Sequence, residues 1–141
     1  MADTKAIATS YFEKLINVHD LGYIPTLFTP DVQFYDPAMI PSGHASGHDG
    51  VHGFFTSFFR AFPDVHFGID DLFAEGDKAA IRFTWTGTHK FKFLDIDVTD
   101  RYVSVPGIDI FHLSGGQISE VRVAFDRAVL VEQLAGIKHP L

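Results

Sequence analysis

Arg101-Tyr-Val-Ser-Val-Pro-Gly-Ile-Asp-Ile-Phe-His-Leu113 is the stretch on which the reading of this chain turns. Apolar residues alternate there at a period of two, the pattern of a half-buried strand. Val103, Val105, Phe111 and Leu113 share one parity, and Asp109 falls on it too. A carboxylate in an apolar row is costly unless it is protonated, hydrogen-bonded or both. That misplaced carboxyl is the first pointer to function.

The neighbouring segments place this strand in a sheet. Gly76-Asp77 and Ser114-Gly115-Gly116 have the chemistry of hairpin turns, so strands are expected over about 65–74, 78–91, 101–113 and 117–126. Residues 92–100 read as a looser crossover. Upstream, residues 4–19 form a helical pattern capped by Asp3 or Thr4, with Ile7, Tyr11 and Leu15 stacked at steps of four. A short helix follows over Leu21–Phe28, and Thr29-Pro30-Asp31 breaks it. Asp31–Tyr35 is a short strand that puts Val32, Phe34 and Asp36 on one face, and Asp36-Pro37 ends it. Residues 37–48 are the longest loop and a lip over any site beside Asp36. A helix over 49–61 carries Val51, Phe54, Phe55, Phe58 and Phe59, and Ala128–Leu134 closes the chain with a short helix. Helices, a strand, a helix and a four-strand antiparallel run predict an α+β fold. The expected architecture is a cone-shaped, curved, mostly antiparallel sheet wrapped around the N-terminal helices, with an apolar interior suited to a small ligand. With no linker, repeat or low-complexity tract, residues 1–141 are expected to form a single domain.

Composition narrows the function classes. Of 141 residues, 46% are hydrophobic and 15 are Phe, which suits a large core or an apolar cavity. The formal charge of −7 and the lack of a basic stripe argue against nucleic acid and anionic membranes as partners. The absence of cysteine excludes disulfides, thiolate metal sites and a Cys nucleophile. No signal-peptide core and no membrane-length apolar run is present, so a cytoplasmic protein is expected.

Several residues are candidates for chemistry. Asp109, if desolvated, would hold a proton to donate; equally, it would serve structure alone if tied to an Arg or a backbone amide. Asp36, before the long loop, is read as a partly solvated carboxylate that stays ionised at neutral pH and acts as a base, or simply as an Asp-Pro turn. Acids in divergent environments are the usual basis for separate acid and base roles. Tyr11 is a core aromatic or a hydroxyl donor to an enolate oxygen. His89 ends the apolar row that holds Trp85, and is a proton shuttle or a satisfied structural histidine. Phe34, Phe58, Trp85, Phe111 and Arg122 are the expected ligand-binding side chains, although Arg122 can also pair with Glu120. His44, His48 and His52 with Asp49 suggest a metal site only superficially, because the run straddles a loop and a helix start and nothing supplies a further ligand. No metal and no cofactor are therefore expected. Neither a phosphate-cradling Gly loop nor a nucleophile elbow is present.

The order of short motifs carries a family resemblance over most of residues 10–127. Leu27-Phe-Thr-Pro-Asp-Val-Gln-Phe-Tyr-Asp-Pro37 resembles the segment after the opening helices in nuclear transport factor 2-like folds. Gly47-His-Asp-Gly-Val51, Ala61-Phe-Pro-Asp64, Ala74-Glu-Gly-Asp77, Thr86-Gly-Thr-His89, Val105-Pro-Gly-Ile-Asp-Ile-Phe111 and Gly116-Gln-Ile-Ser-Glu120 resemble SnoaL-like polyketide cyclases. That resemblance implies a cone-shaped α+β barrel, often a homodimer through the outer sheet face. It implies cofactor-free intramolecular aldol chemistry on an apolar carbonyl compound, with Asp109 as acid/base and His89 assisting. One departure is Glu120-Val121-Arg122, where the family often has Glu-His-Trp. The ketosteroid isomerases share the fold, and Tyr11, Asp36 and Asp109 fall where that family keeps its oxyanion Tyr, base Asp and protonated Asp. A double-bond isomerase and a non-catalytic ligand-binding module are the alternatives. Limonene epoxide hydrolase, a third relative, has an Arg two residues before its Asp, where this chain has Gly107.

Overall fold

The computed structural model describes residues 3–137. The ends of the expected 1–141 domain, residues 1–2 and 138–141, lie outside the described residues. The Asp3 carboxylate accepts from Ala6 N–H at 3.2 Å and caps α1 (Thr4–Ser10). The helix then widens into a six-residue π-helical segment, Tyr11–Ile16. The Asn17 N–H closes it on the Phe12 carbonyl at 2.8 Å, a bond spanning five residues instead of four. A 3₁₀ turn (Leu21–Tyr23) leads into α2 (Ile24–Leu27), where Pro25 sits in the first turn and its missing N–H costs nothing. The remaining elements are β1 (Phe28–Tyr35), β2 (His44–Ser46), α3 (Gly47–Ala61), β3 (His66–Glu75), β4 (Lys78–Thr88), β5 (Tyr102–Ser114), β6 (Gln117–Ala124) and α4 (Arg127–Leu134).

The six strands form one curved open sheet in the order β2-β1-β6-β5-β4-β3. β1 runs parallel to β6, and every other pairing is antiparallel. This is the expected α+β architecture. β5 alternates as its sequence requires, with Val103, Val105, Asp109, Phe111 and Leu113 all buried. Two details differ from expectation. β1 begins at Phe28 rather than Asp31, because a register shift between Phe28 and Gln33 absorbs Pro30. Within the long loop, His44–Ser46 pairs with Gln33–Tyr35 as an edge strand.

Two bulges set which side chains face inward. In the β3–β4 ladder Asp70 is the extra residue, and in the β5–β6 ladder Ser119 is. The helices fill the concave side. α1 packs on β3, β4 and β6, and α3 packs on β1 and β2. Phe12, Phe28, Phe55, Phe62, Phe83 and Phe111 are fully buried between them. Asn17, just past the π-helical segment, exchanges two hydrogen bonds with the backbone of Phe67, at 3.0 and 2.8 Å, and so pins the helix end to β3. Among the described residues no helix is long and apolar enough to cross a membrane.

Candidate active site

Tyr11, Asp36 and Asp109 line one narrow apolar cavity in the hollow of the sheet, with exposures of 2%, 3% and 1%. Each arrives by a different element. Tyr11 is the first residue of the π-helical segment, and its ring meets Phe12, Phe28, Phe55 and Phe111 edge-on at centroid distances of 5.0–6.1 Å. Four edge-to-face contacts of this kind fix its direction. Asp109 sits in mid-β5 between Ile81 on β4 and Val123 on β6. Its Oδ1 is buried and has no hydrogen-bond partner among the described residues. Among the described residues that oxygen thus meets neither the Arg nor the backbone amide that a structural role would supply. Asp36 follows the end of β1. The Met39 N–H donates to its Oδ1 at 3.1 Å, and its own N–H donates to the Gly43 carbonyl at 3.0 Å. Asp36 is therefore both the Asp-Pro turn residue and a cavity wall.

The same burial tunes all three groups. Desolvation pushes Asp109 well above the usual carboxylate range, and the nearby Asp36 charge adds to the shift. Tyr11 is raised by burial first, then by Asp109 and Asp36. Tyr11 therefore keeps its proton at neutral pH, and burial favours the protonated, hydrogen-bond-donating form of Asp109. Asp36 is raised to about 7 by desolvation, which the backbone N–H groups of Met39 and Ala38 partly offset. This corrects the expectation of a partly solvated, fully ionised Asp36: the loop folds over it and excludes water. At neutral pH it is poised between its two forms, the condition that suits a general base.

The expected ligand-binding side chains divide. Phe34, Phe58 and Trp85 do line the cavity. Phe111 does not; it is fully buried behind Tyr11 and holds that ring in place. Arg122 points away, onto the outer face, where it pairs with Glu120 at 3.2 Å and lies over the Tyr35 ring at 4.1 Å. The Ser119 bulge causes this, since it turns Val121 and Val123 inward in place of Arg122. His89 is fully buried but is not a cavity wall. Phe62 lies between it and Trp85, with ring centroids 5.5 and 5.1 Å from the two. His89 Nδ1 lies 2.9 Å from Thr99 Oγ1 and accepts from Thr99 N–H at 3.2 Å, while Nε2 is buried without a partner and burial lowers its pKa. The dry neutral ring anchors the crossover.

Other walls were not singled out beforehand. Met39, Phe54, Phe83, Val123 and Phe125 line the cavity. The apolar row Val121-Val123-Phe125 is visible in the sequence; the bulge that turns it inward is not. Gly107 is where Phe83 packs: a Cβ there would lie 2.6 Å from the tip of that ring. An arginine at this position has no room. Among the described residues no group of three or more His, Cys, Asp or Glu is arranged to hold a metal ion. His48 instead bonds the Phe28 carbonyl at 3.0 Å, and His44 bonds Gln33.

The sequence profile of the SnoaL-like polyketide cyclases matches residues 6–134. The chain belongs to that family. Solved structures similar to it include a candidate SnoaL-like polyketide cyclase from Jannaschia sp. CCS1, with a TM-score of 0.85 at 19% identity, covering 96% of this chain and 93% of that one. AclR from Streptomyces galilaeus, a candidate hydroxylase, has a TM-score of 0.80 at 24% identity and coverages of 98% and 84%. A candidate polyketide cyclase from Bacillus cereus ATCC 10987 has a TM-score of 0.75 at 27% identity and coverages of 96% and 82%. No functionally curated protein matches the chain. In this SnoaL-like cyclase family member, Asp109 and Asp36 are both buried acids whose carboxyls are raised chiefly by desolvation.

Proposed function

We propose that this SnoaL-like family member is an enzyme that performs cofactor-free acid/base chemistry on an apolar carbonyl compound. The ionised form of Asp36 takes a proton from the carbon beside the carbonyl. The resulting enolate oxygen accepts hydrogen bonds from protonated Asp109 and from Tyr11. In an aldol cyclisation the enolate carbon then bonds to a second carbonyl carbon of the same molecule, and the new alkoxide takes up the proton that Asp36 removed, which restores the ionised base. The observation that supports this reading is the meeting of three buried protonatable groups in one apolar cavity, with Asp36 raised to about 7. His89 is not given a catalytic role, since Phe62 lies between it and the cavity wall.

The same trio supports a second reading, a ketosteroid isomerase-like double-bond shift, in which Asp36 returns its proton to a different carbon. A homodimer in the cytoplasm completes the proposal.

Deuterium exchange of the protons beside the carbonyl of 2-tetralone, followed by NMR, isolates the first step. The protein is expected to accelerate exchange, and Asp36→Asn to lose roughly 10²–10⁴ of that acceleration. Asp109→Asn keeps the shape but weakens the oxyanion donor, and is expected to slow exchange about 10–100-fold. Exchange at the buffer rate would favour a ligand-binding module; equal rates in Asp109→Asn would remove the donor role.

A further inference from the structure

The inner cavity is too small for the substrate it is proposed to serve. It measures about 20 Å³, room for about one water molecule, whereas an apolar cavity that takes up benzene measures about 150 Å³. A second, open depression of about 550 Å³ lies next to it. Met39 and Phe54 belong to the walls of both. They form the partition between a buried carboxyl site and an outer chamber of the size that small-molecule ligands occupy.

The floor of the outer chamber is one stripe of α3. Gly50, Gly53, Phe54 and Ser57 line it, at positions i, i+3, i+4 and i+7 of a single helical face. Glycine inside a helix costs about 1 kcal/mol relative to alanine. Packing does not explain Gly53: a Cβ built there meets nothing within 4 Å. The missing side chain leaves that part of the chamber wall open, next to Phe54. Phe93, Leu94 and Asp95 line it as well; they belong to the turn Phe93-Leu94-Asp95-Ile96, closed by reciprocal backbone bonds of 3.0 and 2.8 Å, with Leu94 held at φ 51° and Asp95 at φ 59°. A leucine rarely adopts that conformation, which marks a wall whose shape is constrained. A separate observation on the inner side points to a ligand: Asp109, 1% exposed, presents an Oδ1 without a partner.

We infer that the outer chamber is the distal half of the ligand site, with Gly53 as the residue that sets how long a ligand is accepted. This rests on the reading of Asp36 and Asp109 as a carbonyl site. The reacting carbonyl displaces the Met39 and Phe54 side chains to reach the two carboxyl groups, and the chambers merge. The apolar remainder of the molecule lies along the Gly50–Gly53–Ser57 stripe under Leu94. Short ligands use the inner end alone; elongated ones need the space over Gly53.

Fluorescence titration of the whole protein with two phenols of different length tests this. The probes are 2-naphthol, with two fused rings, and 1-hydroxypyrene, with four. Gly53→Phe fills the outer floor from an exposed helix position, and Gly53→Ala serves as the small-volume control. Thermal melts are run on both and are expected to stay at or above the parent. The inference predicts that Gly53→Phe weakens 1-hydroxypyrene about tenfold or more, leaves 2-naphthol unchanged, and that Gly53→Ala leaves both unchanged. Equal weakening of both probes, or of neither, overturns the distal subsite while the carbonyl site stands. Failure of the parent to bind either probe overturns the carbonyl site and the subsite with it.

Discussion

Asp109 owes its chemistry partly to its own strand and partly to residues far from it in the chain. Its parity is readable from the alternation of β5, and so is the cost of a charge there. Its partner-free Oδ1 and its elevated proton affinity require the packed neighbours Ile81 and Val123 and the Asp36 charge. Asp36 carries the clearest prediction at this level. Its carboxyl is at about 7 in the folded chain against 3.8 for an ordinary side chain. The folded state therefore binds more protons than the unfolded state between those values, and stability falls as pH rises across that window. The loss contributed by this group is roughly 4 kcal/mol and is complete above pH 7. Asp109, shifted in the same direction, adds to the decline. Urea melts from pH 4 to 9 are expected to show this decline in the parent and a flatter profile in Asp36→Asn. A parent more stable at pH 8 than at pH 5 would contradict the burial of both acids.

Among the elements, the π-helical segment and the Ser119 bulge decide most about the site. A helix is plain in the sequence from the four-residue spacing of Ile7, Tyr11 and Leu15. The wider turn that starts at Tyr11 is not, because it depends on where the helix end is tied. Asn17 makes that tie through its two bonds to the Phe67 backbone. Asn17→Leu would leave the Phe67 N–H and carbonyl unpaired in a half-buried place, at a cost of about 1–3 kcal/mol. A matching drop in urea stability, with proton exchange at the 2-tetralone carbonyl reduced as well, is expected if the tie also holds Tyr11. Reduced stability with unchanged exchange would confine Asn17 to a structural role. The bulge has the opposite legibility. Val121, Val123 and Phe125 are an apolar row in the sequence, yet Ile118 sets the other parity, and only the ladder with β5 shows that the chain gains a residue at Ser119. Arg122, expected at the ligand, therefore lies outside.

Over the molecule as a whole, the curved sheet separates two surfaces of different character. The concave side is closed by α1 and α3 around the carboxyl site. The convex side of β3, β4 and β5 exposes Phe73, Ile108 and Ile110, with Phe73 at 66%. Together with the family resemblance, this face is the place where a second copy is expected to pack. Sedimentation at micromolar concentration is predicted to give a dimer, and Ile110→Asp combined with Phe73→Asp to give a monomer with the cavity intact. A monomeric parent would remove the dimer from the proposal.

Local chemistry determined the element order, the α+β class, the inward parity of Asp109, and the pairing of Asp36 with a turn, because alternation, turn residues and helix spacing act over a few residues. Resemblance along the chain then placed Tyr11, Asp36 and Asp109 together. Burial of Asp36, exclusion of His89 behind Phe62, the outward turn of Arg122, and the partition of Met39 and Phe54 between two chambers were decided by tertiary packing. Those properties depend on which side chains from distant elements crowd one another and shut out water, and no stretch of sequence encodes that by itself.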